Sequence, residues 1–184
     1  DAAGKEHPIE SQNPKVYLAS GNCLAGHIPD REAMALAWIH AGGIRQMVGY
    51  TVSTWHGYVG WGVKDYWAES RGGLSLSQAF FASVQADLFD LQVRFPKTAG
   101  LDMGEFGIEA DPKLLDRFAS AHGITEQDNL GRLWDRDTVA FYGDPAWEAR
   151  SDWEIYKGIA KAFSKVAPEV LGVEKDVVLN PIKH

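Results

Sequence analysis

Two short apolar runs near the start of the chain set the first expectation. Lys15-Val16-Tyr17-Leu18-Ala19-Ser20 ends at Gly21. Its length and composition predict a buried parallel strand. Pro29-Asp30 then opens a predicted helix. Arg31 to Ala41 places Ala, Met, Leu and Trp at helical spacing, and Gly42-Gly43 ends it. Ile44 to Tyr50 is a second apolar run. Strand, helix and strand within about 35 residues make a βαβ unit, whose strands are expected to be parallel neighbours.

Beyond Tyr50 the pattern changes. Thr51 to Trp67 mixes Trp55, His56, Tyr58, Trp61, Tyr66 and Trp67 with Gly57, Gly60 and Gly62. That mixture suits a shaped loop walling a pocket, and equally a loop pinned to the core by its tryptophans. Leu76 to Phe95 has the pattern of a long amphipathic helix capped by Ser75 or Ser77 and closed by Pro96. Asp111-Pro112 opens another helix that runs to His122-Gly123. Thr125-Glu126 to Trp134 suits a further short helix. Asp137 to Tyr142 reads as a third strand, followed by a Gly143-Asp144-Pro145 turn. Trp153 to Phe163 is compatible with a helix, and Val177 to Leu179 with a strand. No internal repeat or low-complexity stretch is present. Residues 1–184 are therefore read as one α/β domain, or the C-terminal portion of one. Residues 146–184 form either its end or the start of an appended segment.

The chain has 184 residues, 45% hydrophobic and 23% charged, with a formal net charge of −7. This acidity argues against a nucleic-acid partner, because phosphate binding needs a basic face. No apolar run reaches the roughly 18 residues of a membrane span. No signal-peptide pattern opens the chain, so a leader is expected to be already removed or never present.

There is a single cysteine, which excludes an intramolecular disulfide and a Cys-rich metal site. A lone cysteine is ordinarily a small buried hydrophobe. Cys23, however, follows the first predicted strand, and sites in open α/β sheets form beyond the carboxyl ends of the strands. Gly21 and Gly26 permit a tight bend there. The backbone around Gly21, Asn22 and Cys23 would face a developing oxyanion, and a following helix N-terminus would favour a thiolate. The second strand is expected to deliver Trp55 and His56 to the same edge.

The stretch from Lys15 through Ser20-Gly21-Asn22-Cys23-Leu24-Ala25-Gly26 resembles the nucleophile segment of gingipain-type peptidases, a branch of the caspase-fold cysteine peptidases. The helix that follows, the Met47-Val48-Gly49-Tyr50 strand leading to Ser53-Thr54-Trp55, and the late Gly143-Asp144-Pro145 are similar in order and spacing. The resemblance implies a mainly parallel sheet in a three-layer α/β/α arrangement, incomplete without an upstream segment. It implies a bacterial thiol protease, secreted or in the cell envelope, that needs no cofactor. Cys23 would be the nucleophile that forms the acyl-enzyme with a peptide or protein substrate. Trp55, His56 and Trp61 would help to line the substrate pocket.

One departure from that pattern matters. The family's base is a His-Gly histidine upstream of the cysteine, whereas here only His7 precedes Cys23, and it is followed by Pro8. The expected base therefore comes from an upstream segment or a second chain, with His56, followed by Gly57, as the substitute within this chain. His27 lies in the thiol's own loop. His40 and His122 precede glycines and suit helix C-termini. The histidine spacing matches no zinc helix motif. Asp65, Glu69, Asp102 and Glu105 are acidic candidates for substrate selection, or solvated loop carboxylates. Three other readings stay open: an inactive caspase-fold module that binds a peptide or protein, a small α/β interaction domain with a merely packed cysteine, and a papain-like order that the strand before Cys23 disfavours.

Overall fold

A computed structural model describes residues 4–5, 10–20, 23–54, 57–69, 73–106, 113–149 and 152–170. Three strands form one sheet in the order β1-β2-β3: β1 (Lys15–Leu18), β2 (Ile44–Tyr50) and β3 (Val139–Gly143). β1 and β2 are parallel, joined through α1 (Met34–His40), as the apolar runs predict. β3 lies antiparallel on the other side of β2, pairing Tyr142 with Met47 and Val139 with Tyr50. The described sheet is therefore mixed, where a mainly parallel one was expected. Residues 51–138 join β2 to β3, a connection long enough to return the strand in either direction.

β2 is the centre of the molecule, and all its residues except Arg45 are buried. Such two-sided burial explains its near-continuous apolar sequence. Met47 points to the face covered by Ala35 and Trp38 of α1. Val48 points to the opposite face, against α2 (Tyr58–Lys64) and α3 (Leu76–Arg94), where Val59, Val63, Leu76 and Ala79 close the core. A third apolar cluster joins Val52 to α5 (Leu114–His122) and α6 (Leu130–Thr138) through Met103, Phe118, Leu133 and Trp134.

The Gly- and Trp-rich stretch read as a loop is mostly helical. α2 starts at Tyr58, after Gly57 with φ 69°, and continues into a π-helical turn at Asp65–Glu69. Its helical residues carry a buried row, Val59, Gly60 and Val63, and burying that row outweighs the poor helix propensity of two glycines, Gly60 and Gly62. α3 begins as predicted. The Ser75 side chain accepts from the Gln78 N–H, and the Gln78 side chain reciprocates, forming a capping box worth about 1 kcal/mol. Pro96 ends α3 but starts a single further turn, α4 (Pro96–Ala99). α7 (Asp152–Val170) follows β3 and extends beyond the predicted 153–163. The predicted helix start at Asp111-Pro112 and the predicted strand at Val177 to Leu179 lie outside the described residues. Among the described residues, no helix is long and apolar enough to cross a membrane.

α2 and α3 touch where Gly62 faces Ser83, whose hydroxyl donates to the Val59 carbonyl at 2.8 Å. A Cβ on Gly62 would sit 2.3 Å from the Ser83 Oγ. Gly62→Ala should therefore destabilise the fold by about 1–3 kcal/mol in urea titration, since relief requires giving up the Ser83 bond. A variant as stable as wild type would show that the two helices are not in this contact.

Candidate functional site

Two chemically distinctive regions meet at the carboxyl end of β2. The first holds the thiol. The chain leaves β1 with the Ala19 N–H on the Val48 carbonyl at 2.9 Å. It then turns back, so that the Leu24 N–H reaches the Val52 carbonyl at 3.1 Å and the Gly26 N–H reaches the Tyr50 carbonyl at 2.9 Å. Leu24 takes a left-handed conformation, φ 61°, to make this reversal. Gly26 passes so close to β2 that a Cβ there would lie 2.9 Å from the Gly49 carbonyl oxygen. Cys23 sits on the bend and is exposed. Its Sγ donates to the Thr54 carbonyl at 3.2 Å and accepts from the Thr54 N–H at 3.4 Å.

The thiol is thus held against the segment after β2. Gly21, Asn22, Trp55 and His56, the other expected members of that site, lie outside the described residues. Trp61 projects from α2 with 51% of its surface exposed, and the Lys64 Nζ stands 5.7 Å from its ring centroid. It is a surface tryptophan of a helix. His27 is exposed in the thiol's own loop, with its backbone N–H on the Leu24 carbonyl at 3.0 Å. His40 and His122 occupy the last turns of α1 and α5. Among the acidic candidates, Asp65 and Glu69 both pair with Lys64, at 3.2 Å and 2.5 Å. Asp102 caps its own turn by accepting from the Gly104 N–H. The side chain of Glu105 lies outside the described residues.

The second region was missed in the sequence reading. Asp135 of α6 is fully buried. One oxygen accepts from the Gly57 N–H at 3.0 Å; the other accepts from the Val59 N–H at 2.5 Å and the Tyr50 hydroxyl at 3.1 Å. The Tyr50 oxygen in turn accepts from the Gly60 N–H at 2.9 Å. A carboxylate on one helix therefore caps the N-terminus of another, where free N–H groups and the helix dipole favour negative charge. Burial, and then the charge of Asp135, push the Tyr50 phenol pKa upward, so Tyr50 stays a neutral donor. Neighbours of Asp135 on α6 hold the same segment. The Trp134 indole donates to the Ser53 carbonyl at 3.0 Å, and the Thr51 N–H donates to the Thr138 carbonyl at 2.9 Å. One signal was available: Gly131, Trp134, Asp135 and Thr138 share one face of α6, and all are buried. An aspartate on a buried face needs partners.

A second buried aspartate lies nearby. Asp87 falls in the buried row Leu76, Ala79, Ser83, Asp87, Leu91 of α3. Its Oδ1 accepts from the Arg132 Nη1 at 2.6 Å, while the Arg132 Nη2 stands 2.8 Å from the Asp90 Oδ2. The Arg132 guanidinium lies 4.6 Å from the Tyr58 ring centroid. Burial raises the Asp87 pKa from 3.8 to about 6; Arg132 opposes the rise, and the charges of Asp135 and Asp90 add to it.

The comparisons with known proteins overturn the peptidase reading. Over 41 residues, 22% of the chain, the sequence is 73% identical to the respiratory nitrate reductase 2 alpha chain of Escherichia coli (strain K12). Over the same length it is 66% identical to the respiratory nitrate reductase 1 alpha chain of that organism and 54% identical to the respiratory nitrate reductase alpha chain of Bradyrhizobium sp. The chain matches only 3–4% of the length of these relatives. No family model and no solved structure matches it. The similarity is thus to an oxidoreductase subunit, and the assignment as a gingipain-type cysteine peptidase, a hydrolase acting through Cys23, is corrected. A short strand, a glycine bend and a cysteine recur in many α/β proteins, so their order did not carry the chemistry attributed to it.

Two outcomes test the electrostatics. Asp135→Ala strands two helix N–H groups and the Tyr50 hydroxyl in the core, so it should cost about 3–5 kcal/mol in chemical denaturation. A loss below about 1 kcal/mol would falsify the capping role. For Asp87 the folded pKa lies above the unfolded one, so the folded state binds the extra proton between about pH 3.8 and about pH 6. The group's contribution to stability therefore falls as pH rises through that window. The stability of wild type relative to Asp87→Asn should drop by about 2 kcal/mol from about pH 4 to pH 7. A pH-independent difference would refute the raised pKa.

Proposed function

We propose that this chain has a nitrate-reductase-related function, carrying a structural segment of the kind found in the alpha chains of respiratory nitrate reductases. The observation behind this reading is the 41-residue stretch that is 73% identical to the E. coli respiratory nitrate reductase 2 alpha chain and still 49% identical to the nitrate reductase alpha subunit of Mycobacterium tuberculosis (strain ATCC 25618 / H37Rv). Identity at that level leaves few volume changes for a packed segment to absorb, so its side chains are suited to the same surroundings in each protein. In this reading the segment contributes packing to a larger oxidoreductase, and the α/β body is its scaffold.

A transplant tests the reading. The 41 residues of the E. coli respiratory nitrate reductase 2 alpha chain are replaced by the matching 41 of this chain. Nitrate reduction with a reduced viologen dye is then measured alongside assembly of the enzyme. The chimera should assemble and keep most of its activity, while a composition-matched scramble of the same segment should fail to assemble. A chimera as defective as the scramble would sink the proposal.

A further inference from the structure

The helix α7 turns its apolar side outward. Ile155, Tyr156, Ile159, Phe163 and Val166 are 51%, 66%, 58%, 40% and 54% exposed. Lys157, Ala160 and Ser164 of the same helix are half-buried. They recur at i, i+3 and i+7, so one strip of small and polar side chains rests against the body, about a third of a turn from the apolar stripe. Among the described residues, no α7 side chain joins the three apolar clusters of the body. A helix of this kind is ordinarily stabilised by burying its apolar stripe, so this one calls for a cover from outside.

Spacing points to a helix as that cover. Tyr156, Ile159, Phe163 and Val166 recur at intervals of three, four and three, the pattern of the a and d positions of a heptad seam. Lys157, Lys161 and Lys165 fall at b, f and c, off the seam. Ala160 and Ala162 fall at the flanking e and g positions, where small side chains let a second helix come close. We propose that α7 pairs antiparallel with α7 of a second copy of this chain, about a two-fold axis level with Lys161. This register sets Tyr156 against Val166 of the second copy and Ile159 against its Phe163. Each ring then meets a branched aliphatic side chain, and the four layers have similar widths, as a self-complementary interface requires. Parallel pairing would set ring on ring and aliphatic on aliphatic, in layers of unequal width.

The area is sufficient. The five exposed side chains leave on the order of 500 Å² of apolar surface, near the top of what a monomer ordinarily shows in one patch. Two copies would bury on the order of 1,000 Å² in all, where specific interfaces begin. The net charge of −7 opposes association only weakly at physiological salt, where the Debye length is about 8 Å. The pairing draws nothing from the similarity to nitrate reductases and stands or falls apart from it.

Sedimentation equilibrium of the whole chain reads the pairing. The mass should rise with concentration from the 20.3 kDa of one chain toward twice that value, with a micromolar midpoint. Phe163→Glu, at a surface position, should keep the circular dichroism of the wild type and weaken pairing at least roughly tenfold. If its circular dichroism is lost, Ile159→Glu decides by the same criterion. Register is read by oxidation in a Cys23→Ser background: Tyr156→Cys chains mixed with Val166→Cys chains should crosslink faster than either variant alone. A chain monomeric at every concentration, pairing unchanged in the deciding variant, or Tyr156→Cys crosslinking to itself as fast as the mixture would each overturn the proposal. Capture of the still monomeric chain by phosphatidylglycerol vesicles, lost in the deciding variant, would overturn it too, by assigning the stripe to a lipid surface.

Discussion

A buried carboxylate holds the centre of this structure together. Asp135 joins three elements that are far apart in sequence: α6, on which it stands, α2, whose first N–H groups it accepts, and β2, through the Tyr50 hydroxyl. An ionised group in a core is tolerable only when hydrogen bonds replace its lost water. Here the helix N-terminus and the phenol supply them. The same contacts decide where the segment after β2 runs, and so where Thr54 stands to meet the Cys23 thiol. Remove the carboxylate and both the glycine-rich helix and the bend beside it lose their reference point.

The two buried aspartates are treated differently by the fold. Asp135 is surrounded by donors on both oxygens, whereas Asp87 has one oxygen on Arg132 and the other without a partner. The first arrangement is structural cement. The second keeps a charge poorly compensated by its partners, and burial accordingly moves its titration upward. The two sites are connected, because Arg132 and Asp135 lie on one short helix and the charge of each aspartate is felt by the other.

The thiol shows how far local pattern carries a functional reading. Among the described residues the Cys23 thiol lies on a bend after β1, against Thr54 of the segment that follows β2. The chemistry ascribed to it came from resemblance, whereas 41 residues of this chain are similar to alpha chains of nitrate reductases. Geometry near a cysteine states where it is; what it does depends on a base, a substrate and a pocket that short motifs do not specify.

Several elements were legible from residues alone. The apolar runs of β1 and β2, the intervening helix, the Ser75 cap of α3 and the helix-terminal places of His40 and His122 follow from period, capping and glycine stops, which are local properties. The helical state of residues 58–64, the antiparallel docking of β3, and the partners of Asp135, Asp87 and Gln46 were decided by tertiary structure. Glycine-rich sequence favours a loop until a buried face and an external cap make a helix cheaper. Strand direction depends on how the preceding helix is anchored. These buried polar side chains find their partners far along the chain, 45 positions away for Asp87 with Arg132, 85 for Asp135 with Tyr50 and 101 for Gln46 with the Trp147 carbonyl. Local sequence determines which backbone states are inexpensive; long-range satisfaction of charge and hydrogen bonds chooses among them.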